Sequence, residues 1–247
     1  VPFLAAVLAL LMVSTAWAES SLVAEVRAAL THYHENPARL DGLRAGLAAE
    51  ARSDPSVDTL IALAHVCFIW GDVRARTSED RLEVYEQGRQ AAKRAVEMAP
   101  RSVLAHFWYA TNTGRWAQTR GVMRSLFLLP TLKQESETVL ELDPTFPPGY
   151  ALAANLAYEV PPLLGGDLDR AEQMFRKGLA LAPRFTAMRV GLAKTLIKKG
   201  HLIEARKELQ AVLDEKAPDN LADWTLKDSR RARELLESLP KRSASAG

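Results

Sequence analysis

Apolar and polar residues follow one another along this chain with the period of helices. Stretches such as "AAKRAVEMAPR" (91–101), "ESETVLELDPT" (135–145) and "MFRKGLALAPR" (174–184) set apolar residues three and four positions apart. That spacing gathers them on one side of a helix. Each stretch closes on Ala-Pro or Asp-Pro, where proline lacks the next backbone donor and pushes the preceding residue toward extended backbone. Alternating Val/Ile/Thr runs of strand type are missing between the turn signals. The pattern predicts an all-α chain, helical from about Ser20 to Ser238.

The closing prolines are Pro55, Pro100, Pro144, Pro183 and Pro218, and their separations shrink from 45 and 44 to 39 and 35 residues. Regular spacing of this kind signals repeated helix pairs. In the last two units Gly166 and Ala171 recur as Gly200 and Ala205, a step of 34 residues, and Phe175 is answered by Leu209. A glycine turn, a small alanine in the second helix, a large apolar residue and then proline resemble the tetratricopeptide repeat family. The resemblance implies an α-solenoid of antiparallel helix pairs whose first helices line the concave face. The longer units are expected to carry inserts between paired helices at 71–80 and 119–130. Asp167 is expected to cap its helix, and Asp54 to cap another with Pro55 in the first turn. Residues 225–239 read as a terminal helix that covers the open end of the stack, as repeat arrays require. A helical domain over 19–239 and a disordered polar tail over 240–247 complete the expected organisation.

"VLAHFWYATNTG" (103–114) is then a first helix. Consecutive residues turn by about 100°, so Phe107, Trp108 and Tyr109 cannot share one buried stripe. Equivalent concave positions are Thr59, Ala62 and Val66; Leu104, Phe107 and Thr111; Ala153, Leu156 and Val160; Ala187, Val190 and Lys194. Nearly all are apolar or small, which predicts a groove for an apolar ligand or an apolar peptide stretch. The candidate ligand-binding set is Leu104, Phe107, Trp108, Thr111, Trp116, Leu156, Val160 and Val190. The same small residues would also suit a superhelix tight enough to fill its own interior. Arg115 and Trp116 stand where an insert could fold over the groove.

Charge and composition narrow the function. A net charge of +2 gives no reason for a nucleic-acid partner, and "SRRAR" (229–233) reads as the solvated face of a helix. The opening run "VPFLAAVLALLMV", followed by Ala16 and Ala18 in an A-x-A pattern, reads as a cleaved export signal over 1–18. The basic residues that usually precede such a run are not in the sequence. The run is short for a membrane anchor, so the mature protein is expected to be exported, soluble and, in a Gram-negative host, periplasmic. Cys67 is the only cysteine, which allows no internal disulfide and no lipidated thiol at the cleavage point.

Catalytic chemistry is not expected. No phosphate loop, nucleophile elbow or H-E-x-x-H occurs. His32 and His34 would lie about 200° apart on a helix and would not converge on one metal. His65 and Cys67 fall in an apolar run and read as core. His106 reads as a structural histidine or a donor at the groove edge. Glu135, Glu137 and Glu141 read as solvated. No cofactor or metal is expected.

A closer resemblance covers roughly Asp58 to Leu213. "HFWYA", a long insert, and then "LPTLKQESETVLELDPTFPPGYALAANLAYEVPPLLGGDLDRAEQMF" are similar to the T-component family associated with tripartite ATP-independent periplasmic (TRAP) transporters. Pro161-Pro162 followed by "LLGGD" is its most characteristic piece. The resemblance implies an accessory role: binding a periplasmic substrate-binding protein and sheltering a hydrophobic ligand. A cell-envelope adaptor that docks another protein is the alternative. The region also shares its outline with regulators of microtubule dynamics, another tetratricopeptide family.

Overall fold

The computed structural model describes residues 20–240, and no strand occurs among them. The anticipated signal peptide (1–18) and residues 241–247 of the anticipated tail lie outside the described residues. The helices are α1 (Ser21–Ala29), α2 (Arg39–Ser53), α3 (Val57–Val73), α4 (Ser78–Met98), α5 (Val103–Arg120), α6 (Leu129–Leu142) and α7 (Pro147–Glu159). Then come α8 (Leu168–Leu181), α9 (Thr186–Lys198), α10 (Leu202–Asp214), the single turn α11 (Leu221–Asp223) and α12 (Ser229–Ser238). Two 3-10 segments, Val122–Leu128 and Pro162–Leu164, and a π turn, Trp224–Asp228, connect them. From α1 to α10 each helix packs on the next, and the first helices also stack across units, α3 on α5, α5 on α7 and α7 on α9. The fold is the expected all-α solenoid of helix pairs.

Small residues at the crossings let the backbones approach. Ala171 and Ala205 are fully buried, and Phe175 and Leu209 fill the layer beside them. Burying such a side chain stabilises the fold by about 1.5–3 kcal/mol. Asp167 caps α8 as expected, its carboxylate accepting from the backbone N–H of Asp169 and Arg170. The turn before α8 divides its labour between two glycines. Gly165, not Gly166, takes the left-handed conformation (φ +94°), whereas a Cβ on Gly166 would stand 1.7 Å from the carbonyl oxygen of Val160.

Three local expectations are corrected. Asp54 ends α2, and the cap of α3 is Ser56, whose hydroxyl accepts from Thr59 N–H. Residues 71–80 form no insert. There α3 runs to Val73, and α4 starts at Ser78 behind a capping box in which Thr77 and Asp80 accept from each other's backbone N–H. The extra length of that unit lies in the helices themselves, 17 and 21 residues long. Glu135 is buried rather than solvated, because His106 Nδ1 holds its carboxylate at 2.6 Å. The other ring nitrogen of His106 meets the carbonyl oxygen of Pro100 at 3.0 Å, so this histidine is structural.

The C-terminal segment does more than cover an end. As expected, α12 packs on α10, but the π turn also packs on α9, and Ala222 is buried in the core cluster of the N-terminal helices. The Tyr33 hydroxyl, in the turn after α1, donates to Asp223. The superhelix therefore winds far enough for its last helices to touch its first.

Candidate functional site

The insert at 119–130 is real, and it builds a pocket. After α5 ends at Gly121 (φ +92°), the 3-10 segment brings Leu126 against the junction of α5, α6 and α7. Leu126, Leu129, Leu132, Leu152, Leu156 and Val160 wall a cavity of about 110 Å³, with Gln118, Asn155 and Glu159 among the polar residues at it. Ser125 lines the same cavity. Its hydroxyl is buried and has no hydrogen-bond partner among the described residues. Both connectors beside the pocket turn apolar side chains outward: Met123 and Phe127 on the first, and Leu163, 98% exposed, on the second.

The candidate residues do not share one hollow. Leu156 and Val160 line this pocket. Val190 is buried in a separate core cluster with Ala193, Leu209 and Val212. Trp108 is buried in an aromatic cluster, stacked on His65 at 3.9 Å and tilted against Phe68 at 5.5 Å. Burial lowers the His65 imidazole to a pKa of about 3, so the stacked ring is neutral. Phe107 is half-buried and meets Trp108 and Phe146 edge-on at 4.9 and 5.4 Å. Trp116 meets the guanidinium groups of Arg89 and Arg120, at 5.7 and 4.7 Å from its ring centre. Leu104 is exposed and Thr111 half-buried, and neither lines the pocket. The aromatics of α5 are thus mostly packing and cation–π contacts. Of the other concave positions, Thr59, Ala62, Val66 and Ala153 are buried core. Ala187 is exposed and Lys194 half-buried, so the concave positions divide between core and surface.

Sequence reasoning missed Ser125, Leu126, Leu129, Leu132 and Leu152. The apolar run "LFLL" (126–129) inside the insert was the available signal. It also missed charge inside the coil. Asp72 Oδ1 accepts from Tyr85 OH and Arg115 Nη2, both at 2.7 Å, and Oδ2 accepts from Arg115 at 2.6 Å. Lys227 Nζ lies 3.7 Å from Asp72 and 2.5 Å from Asp223. Burial alone would raise the Asp72 carboxyl, yet Arg115, Lys227 and Tyr85 hold it below the usual carboxylate range. Burial and Asp223 push the Tyr33 phenol upward, so its proton stays on.

Stacked helix pairs, small residues at the crossings and a terminal helix over the end define a helical-repeat protein of the tetratricopeptide type. A tetratricopeptide-repeat family model matches residues 163–227, and the model described as regulator of microtubule dynamics protein 1-3 matches residues 22–164. The second match covers more than half of the chain, which belongs to that family; the resemblance to the transporter T-component finds no such support. Among curated proteins none matches the sequence. A solved structure of a thermophilic TPR protein from Thermus thermophilus is similar over 87% of this chain and all of its own, with 20% identity and a TM-score of 0.64. MamA from Desulfovibrio magneticus RS-1 is 14% identical over 79% of this chain and 95% of its own, with a TM-score of 0.49. Pseudomonas aeruginosa pilF is 16% identical over 86% of this chain and 89% of its own, also at 0.49. The first likeness bears on the fold.

Proposed function

We propose that this protein is a non-catalytic binding module whose working site is the apolar pocket at the α5–α6–α7 junction. One observation carries the reading: an apolar-walled cavity of about 110 Å³ where α5, α6, α7 and the 3-10 segment meet. The size limits the guest. A cavity of about 150 Å³ holds benzene, so about 110 Å³ takes one ring or one branched aliphatic group rather than a whole acyl chain. The outward apolar residues Met123, Phe127 and Leu163 favour a protein partner that presents this group from its own surface.

The leader-like run at 1–18 supports export, in the periplasm for a Gram-negative host. The resemblance around Pro161-Pro162 supports an accessory role beside a TRAP transporter, with a substrate-binding protein as partner and an apolar small molecule as a second ligand. A cell-envelope adaptor is the alternative. The family match adds microtubules as a competing partner class.

Toluene titration followed by NMR tests the pocket. Saturable shifts confined to α5, α6, α7 and the 3-10 segment are expected, and Leu156→Phe, which fills the space, should weaken binding about tenfold. Shifts elsewhere, or an unchanged variant, would sink the proposal. Pull-down of a substrate-binding protein and co-sedimentation with microtubules, each with the wild type and Leu156→Phe, then separate the partner classes.

A further inference from the structure

Beside the Asp72–Arg115–Lys227 cluster, on the side facing α4 and α12, a second recess opens. It measures about 280 Å³ and is lined by Arg81, Arg115, Lys227, Arg230, Gln118 and Thr119, with Asp72 and Tyr85 at its base. It shares only Gln118 with the apolar pocket. Four cations meet one carboxylate here, and that carboxylate is almost wholly covered by its own partners, with 7% of its side chain exposed. Asp72 fixes Arg115 through two bonds, and Asp72 and Asp223 together hold Lys227. Their charges are balanced within the cluster. Two cations remain at the mouth. Arg81 makes no ion pair or side-chain hydrogen bond with another described residue, and Arg230 has only Glu234 at 3.7 Å, with both side chains half or more exposed.

We propose that this recess binds a phosphate-monoester dianion. Arg81, which has no ion pair among the described residues, and Arg230, whose partner is the exposed Glu234, bring two guanidinium groups to a dianion, and a guanidinium offers paired donors suited to phosphate oxygens. Arg115 and Lys227 add donors whose directions are already fixed by Asp72 and Asp223, so little side-chain entropy is lost on binding. Thr119 and Gln118 supply neutral polar atoms on the same wall. The site joins the first repeats to the C-terminal helix, because Arg81, Arg115 and Arg230 come from α4, α5 and α12. An occupant would therefore also tighten the closure of the coil.

The full chain is titrated with inorganic phosphate, with phosphoserine and with acetate at one ionic strength, following the Arg Nε–H signals by NMR. Saturable binding of inorganic phosphate at one site, with acetate at least several-fold weaker, is expected. Phosphoserine binding more tightly than inorganic phosphate would assign the source to a phosphorylated side chain, and equal binding would assign it to free phosphate. Arg81→Gln with Arg230→Gln removes no ion pair or side-chain hydrogen bond between described residues beyond the exposed Arg230–Glu234 pair and should weaken phosphate about tenfold or more. Arg101→Gln, the same kind of charge removal at an exposed position outside the recess, should leave it unaltered. Acetate binding as well as phosphate, a response that never saturates, or equal weakening by Arg101→Gln would each overturn the proposal.

Discussion

Asp228 shows how one buried residue ties stability to pH. It starts no hydrophobic face and carries no sequence signal, yet it is buried beneath α9 and accepts from the Thr186 hydroxyl at 2.7 Å. Burial raises its carboxyl from 3.8 to about 6, against the opposing pull of Thr186. An acid with a raised folded-state pKa stabilises the fold when protonated, and that contribution is lost as pH rises through about 6. Asp228→Asn should therefore gain on the wild type by about 1 to 2 kcal/mol between pH 5 and pH 8. Urea denaturation at the two pH values checks this, and a constant difference would contradict the assigned burial. Gly166 is a second case at this scale. Its place in a turn was readable from "LLGGD", but the reason for it, the carbonyl of Val160 where a side chain would stand, was not.

Elements whose ends are set by neighbouring residues were readable. The start of α8 at Asp167 and the alanines of α8 and α10 depend on caps and on the 3.6-residue period alone. Where two local signals compete, packing chose between them. Asp54 and Ser56 both suit a cap, and the proline between them would sit in the first turn only if Asp54 won. Ser56 wins, because its hydroxyl meets both Thr59 N–H and the Thr59 hydroxyl, while Glu50 of α2 accepts from Thr59. The capping box of α4 makes a direct test of this kind of local stabilisation. Thr77→Ala should lower unfolding free energy by about 1 kcal/mol in urea titrations and leave the helical circular dichroism of the native state intact. The 119–130 insert is the opposite case. Its composition announced extra chain, and only its docking on α6 and α7 turned that chain into the wall of a pocket.

At the scale of the whole molecule, closure of the coil dominates. Tyr33 and Asp223 lie 190 residues apart and are hydrogen-bonded, while Asn220 reaches the carbonyl of Leu30 at 3.5 Å. Such contacts make the two ends of the stack mutually stabilising, unlike an open array in which each unit touches only its neighbours. Tyr33→Phe should cost about 1 to 3 kcal/mol, because Asp223 stays largely covered with one partner fewer. Amide exchange in α1, α2 and the π turn should speed up, while α7 and α8 keep their protection. Uniform acceleration would mean that the ends are not specially coupled.

The sequence by itself determined the helical class, the 34-residue phase of the last two units, the closing prolines and the small residues at the helix crossings. Each of these follows from backbone restrictions and side-chain period within a single turn or pair of helices. Tertiary structure alone decided which apolar positions became core and which became pocket, and it alone set the covered carboxylate of Asp72 beside the partly exposed Arg115 and Lys227. Those outcomes depend on the pitch of the superhelix. Pitch is the sum of small crossing angles over every pair, and no local stretch of residues specifies that sum.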